Sequence, residues 1–223
     1  MPTAINDIME SASLALAQMD YPRCEALCIE AMARARDSND WPYYQRILMP
    51  LQEARRQKRQ AALDGDIRLG TEGVASLLDL LEHPQVGCIV VTHPFTKEDA
   101  DRLDQAVRMH GRSIEVLFAD NAADAPNWKI TSFRGPAFVA QLPAPDRAWV
   151  NQWASPTQVT ASAPAHWFMQ ANEALGNAGI ESVLAPSGTD ARVDGLERIL
   201  VATGDHELAH QALADAANAM YTR

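Results

Sequence analysis

The pattern in this chain best suited to chemistry is His206-Glu207-Leu-Ala-His210, two histidines four residues apart with a glutamate between them. On a helix the two imidazoles share one face and can hold zinc, while the glutamate can polarise a zinc-bound water for hydrolysis. The surrounding sequence weighs against that use. Asp215 is the one carboxylate after His210, so the usual downstream third ligand has no counterpart. Asp205 is placed to cap the helix, which would leave His206 and Glu207 as solvated residues of a first turn at a surface corner. A zinc-dependent hydrolase using His206, Glu207 and His210 is therefore the alternative reading, and no catalytic residue, metal or cofactor is expected.

Four other groups could carry chemistry or recognition. Arg55, Arg56, Lys58 and Arg59 form the one basic cluster of an acidic chain. Arginine recognises carboxylates bidentately, so these four residues are the expected contact for an acidic protein partner or for a second copy of the chain. His93, in Thr92-His-Pro-Phe95, follows an apolar run that reads as a buried strand, a position that often borders a ligand crevice. No glycine-rich phosphate loop follows it, and Thr96 with Asp99 reads more simply as a helix-capping box. Cys24 and Cys28 lie one helical turn apart on an apolar stripe and read as small packed residues, as Trp149 and Trp153 read as core.

The composition narrows the classes further. With 223 residues, 47% hydrophobic and 22% charged, the chain has material for one large or two small cores. A formal net charge of −10 argues against general capture of nucleic acid or of an anionic membrane. The three cysteines are an odd number, and the amino end lacks a basic segment followed by an apolar one. A secreted disulfide scaffold is not expected, and the default is cytoplasmic. Charges interrupt every apolar stretch before it reaches the ~20 residues that span a bilayer, and no small-molecule ligand is indicated.

The elements that must position these residues begin with three helices. Asn6 or Asp7 can cap the first; the Asp20-Tyr-Pro22 corner opens the second; Trp41 starts a third that extends to about Leu63 across Pro50. Leu63-Asp-Gly-Asp66 marks a boundary, followed by a short helix through Val74, Leu77, Leu78 and Leu81. Gly87 to Thr92 and Ser113 to Phe118 read as strands around a helix from Lys97 to His110, a unit that makes parallel strands. Lys129–Phe133 and Ala137–Leu142 read as a hairpin. Asp146 can cap a helix bearing Trp149 and Trp153, and Ser155 to Pro164 reads as an irregular connection. Helices are then expected from His166 to Ala178, Ala191 to Ala202 and Asp205 to Tyr221.

Residues Leu16 to Asn39, with Tyr21 beside a tight turn and Cys24, Cys28 and Ala31 on the following helix, resemble a tetratricopeptide repeat. The pair joined at Thr203-Gly204 resembles it more loosely. Met19 stands where that family usually has glycine, and one good copy is too little for a solenoid. The resemblance implies a protein-binding surface. The expectation is thus an α+β protein in which tetratricopeptide-like helical hairpins flank a small mixed β-sheet. Its regions are 1–65, a helical bundle; 66–142, a small α/β region; and 143–223, helices packing on the sheet. The expected function is a non-enzymatic protein-binding or scaffold protein.

Overall fold

In the computed structural model, residues 4–70, 76–81, 86–122, 125–148, 150, 163–183 and 189–221 are described, and structural statements concern these. The chain is α+β, as its patterning predicts. The helices are α1 (Ile5–Ala17), α2 (Tyr21–Asp37), α3 (Trp41–Leu63), α4 (Lys97–Met109), α5 (Ala163–Val183), α6 (Thr189–Thr203) and α7 (Glu207–Tyr221). The strands are β1 (Asp66–Gly70), β2 (Val86–Val91), β3 (Ser113–Phe118), β4 (Asn127–Thr131) and β5 (Val139–Pro143), and a 3-10 helix covers Leu77–Leu81. Among the described residues no helix is long and apolar enough to cross a membrane.

Three chain reversals share one local design. Met19, Asn39 and Gly204 have φ values of 59°, 55° and 66°, and each is followed by an aspartate, Asp20, Asp40 or Asp205. The left-handed residue turns the chain out of one helix, and a bond back to an earlier carbonyl closes that turn. Asp20 N donates to Ala15 O and Asp40 N to Ala35 O, both at 2.8 Å. At the first two reversals the aspartate side chain then caps the next helix, accepting from Arg23 N at 3.2 Å and Tyr43 N at 3.1 Å. Pro22 and Pro42 follow one residue inside their helices, where a missing N–H costs nothing. The first helix starts without such help: Asn6 and Asp7 lie inside α1, and Ala4, at its cap, provides no side-chain bond.

The chain divides into two units, and one is interrupted by the other in sequence. Unit 1 comprises residues 1–58, 183–200 and 204–223; unit 2 comprises 59–182 and 201–203. The carboxy-terminal helices α6, as far as Leu200, and α7 therefore group with α1, α2 and α3 as far as Lys58. Their hydrogen bonds show why. Tyr44 of α3 donates to Glu197 of α6 at 2.6 Å, Arg36 of α2 pairs with Asp194 and Glu197, and Gln45 of α3 reaches Ala214 O of α7 at 3.0 Å. Small residues let the first hairpin close tightly: Ala12 and Ala15 of α1, with Cys24, Cys28, Ala31 and Ala35 of α2, are all buried.

Unit 2 is built on three parallel strands in the order β1-β2-β3. β1 is an addition to the expected strands, and it lies tight against β2. A Cβ on Gly65 would fall 2.5 Å from Val86 O, and one on Gly87 2.4 Å from Asp66 O, so both positions exclude larger residues. The 3-10 helix and α4 share one core with the sheet, in which Leu77, Leu81, Leu103, Val107, Ile89 and Val116 are buried. α4 opens with the expected box: Thr96 N donates to Asp99 Oδ2 at 2.9 Å, and Asp99 N donates to Thr96 Oγ1 at 3.3 Å. β4 and β5 form the antiparallel hairpin and touch the parallel strands through one bridge, Ala119 to Ile130. On α5, Trp167 meets Trp128 of β4 edge-on at 5.2 Å and donates its indole N–H to Pro143 O at 2.9 Å.

Candidate functional site

The basic cluster on α3 is largely engaged within the chain. Arg55 Nε donates to Glu25 Oε1 at 2.7 Å, and its Nη1 reaches Leu200 O and Gly204 O at 3.3 and 3.2 Å. Lys58 bonds the other oxygen of Glu25 at 2.6 Å. Arg59 donates to Thr203 O at 2.7 Å. The carbonyls of residues 200 and 203 lie in the last turn of α6, where positive charge is favoured, and that of Leu200 also accepts from Gly204 N at 3.1 Å. Three of the four cations thus have partners within the chain. Arg56 alone is largely exposed, at 65% of its side chain, beside Glu53. Burial would raise the Glu25 carboxyl, but Arg55 and Lys58 more than reverse this and hold it at about 2.

The His206–His210 segment is also used structurally, and not as a solvated corner. Asp205 precedes the helix without being its cap; that position belongs to His206, whose Nδ1 accepts from Ala209 N at 3.3 Å. Both imidazoles are buried, each with 2% exposure, while Glu207 faces outward and accepts from Gln211 at 3.2 Å. His210 Nε2 lies 3.2 Å from Gly204 O, a bond that requires the proton on that nitrogen. Burial, reinforced by nearby Arg55, lowers the His210 pKa to about 4, so the ring is neutral at ordinary pH. The glutamate of the motif is directed away from the two rings, the wrong disposition for activating a water held between them. Among the described residues no group of three His, Cys, Asp or Glu side chains is positioned to hold a metal ion.

The remaining candidates fall in the core or on open surface. Cys24 and Cys28 are fully buried, and burial pushes both thiols up, away from the reactive thiolate form. His93 is exposed after β2, its backbone N–H donating to Asn121 O at 3.2 Å. The side chain of Trp149, and Trp153 altogether, lie outside the described residues.

A concave site that the sequence reading missed lies within unit 1. Asn6, Met9, Glu10 and Ser13 of α1 form one wall of a groove of about 570 Å³. Tyr43, Arg46 and Pro50 of α3 form the other. Both sets follow helical spacing, so each wall is a single helix face. Tyr43 donates its hydroxyl hydrogen to Asn6 Oδ1 across the groove, and the Arg46 guanidinium lies 5.2 Å from the centre of the Tyr43 ring. Leu14 and Met49, one turn along their helices from Glu10 and Arg46, are 58% and 76% exposed. The detectable signal was the mixture of exposed polar and apolar residues on one face of each helix, where a face meant only for water would be uniformly polar. Compared with family models, with curated proteins and with solved structures, the chain matches none.

Proposed function

We propose that this is a non-enzymatic binding or scaffold protein that takes a segment of another protein into the groove between α1 and α3. The groove carries the reading: two helix faces held by a hairpin of small buried residues present Met9, Pro50 and Tyr43 beside polar groups. Such a surface suits an extended or helical segment, which anchors by a few apolar side chains and is oriented by polar contacts. The internal engagement of Arg55, Lys58 and Arg59 moves the expected contact from the far part of α3 to its first turns.

The test is site-specific photo-cross-linking in cells of origin, with benzoylphenylalanine at Ser13 in the groove and, as a control, at Ile29 on the exposed face of α2. Products formed from position 13, absent from position 29 and lost on adding Met9→Asp, are expected. Identical products from both positions, or none from position 13, would remove the groove from consideration. A second copy of the chain as the occupant would show as mass that rises with concentration in sedimentation and falls in Met9→Asp.

A further inference from the structure

Glu10 and Arg46 line the same groove from its two walls but do not pair with each other, and neither has an ion-pair partner among the described residues. Elsewhere in unit 1, Arg34, Arg36, Arg55, Arg56 and Lys58 are each paired with a carboxylate of the chain, while Arg23, Arg192 and Arg198 have no ion pair among the described residues. Arg46 is instead positioned without being neutralised, its guanidinium over the Tyr43 ring and that ring tied to Asn6. An unpaired cation and an unpaired anion facing one groove attract little in open water. They gain strength when an occupant displaces water and supplies the opposite charges.

We propose that the occupant is a peptide segment with an acidic side chain facing Arg46 and a basic side chain facing Glu10, with an apolar side chain between them against Met9 and Pro50. This rests on the groove being the binding site. The charge order fixes the segment's orientation across the groove, because the reverse placement would set acid against Glu10 and base against Arg46. Met9 suits the apolar contact, its flexible thioether adapting to side chains of different shape.

The experiment uses random peptides displayed on phage, panned on the full chain; recovered peptides are synthesised and their affinity measured by fluorescence polarisation. Far-ultraviolet circular dichroism of each variant checks the fold. Recovered sequences should pair an acidic and a basic residue around Leu, Met or Phe. Arg46→Glu or Glu10→Lys should each weaken binding about tenfold. The double variant should regain affinity for peptides with the two charges exchanged. Peptides that lose binding in Met9→Asp but are unaffected by Arg46→Glu and Glu10→Lys would overturn the charge assignment while leaving the groove in place. Failure to recover peptides, or peptides indifferent to Met9→Asp, would overturn both.

Discussion

Tyr44 donates its phenolic hydrogen to Glu197 at 2.6 Å, joining α3 to α6 across residues 59–182 of unit 2. The ring is fully buried and the carboxylate is shared with Arg36, so the bond is charge-assisted and partly withdrawn from water. Glu197 keeps 29% of its side chain exposed, and water can replace part of what is lost. Tyr44→Phe should therefore destabilise the protein by about 1 to 2 kcal/mol in urea unfolding, with an unchanged m-value. An unchanged midpoint would show that the bond contributes nothing net.

Met19 occupies a left-handed position that favours glycine, and it is 71% exposed, so removing its side chain sacrifices little packing. Met19→Gly should stabilise by about 0.5 to 1 kcal/mol, the relief of backbone strain exceeding the added freedom of the unfolded chain. Asn39→Gly should gain less, because asparagine tolerates this conformation. Thermal melts of the two variants check both the direction and the order.

Arg55 has only 10% of its side chain exposed and serves Glu25 and two backbone carbonyls at once. Arg55→Ala should cost about 2 to 4 kcal/mol, below the cost of fully breaking a buried pair because Lys58 still faces Glu25. Arg56→Ala should stay within about 0.5 kcal/mol of the parent. Equal effects in denaturant titrations would contradict the internal role assigned to Arg55.

His210 has its pKa lowered from 6.5 to about 4 in the folded chain, so protonation favours the unfolded state. Its contribution is complete above pH 6.5 and is lost as the pH falls through 4. Glu25 also has a lowered pKa, from 4.5 to about 2, and its contribution disappears in a more acidic window. Stability measured from pH 7 to 4 should fall by uptake of about one proton, and this slope should flatten in His210→Gln. A slope unchanged by the substitution would place the titrating group elsewhere.

Much of the fold was legible because strong local signals agreed with tertiary structure. Trp41 to Leu63, Lys97 to His110 and the β2 and β3 strands carry long, regular apolar spacing with clear caps. β1 was missed because Asp66-Ile-Arg-Leu-Gly70 offers only two apolar residues among charges, and its strand form depends on pairing with β2. The turn shared by Asp20 and Asp40 was hidden because the residue before each differs: Met19 and Asn39. The groove needed Tyr43 and Arg46 to be set beside Asn6 and Glu10, a pairing of helix faces that neither helix reveals alone. The burial of His206 was not legible because the Asp205-His206 corner offers two capping residues, and spacing alone does not say which of them caps the helix.

The interruption of unit 1 by unit 2 also sets an order of events during synthesis. As the chain leaves the ribosome, α1, α2 and most of α3 emerge before unit 2, with Arg36, Tyr44 and Arg55 all awaiting partners that lie beyond residue 193. Unit 2 is nearly complete in sequence before those partners exist, so it can fold while the helical unit is still unfinished. Translation of α6 and α7 therefore completes a unit begun before unit 2, and a ribosome stalled before α6 would display α2 and α3 with Arg36 and Tyr44 still lacking Glu197.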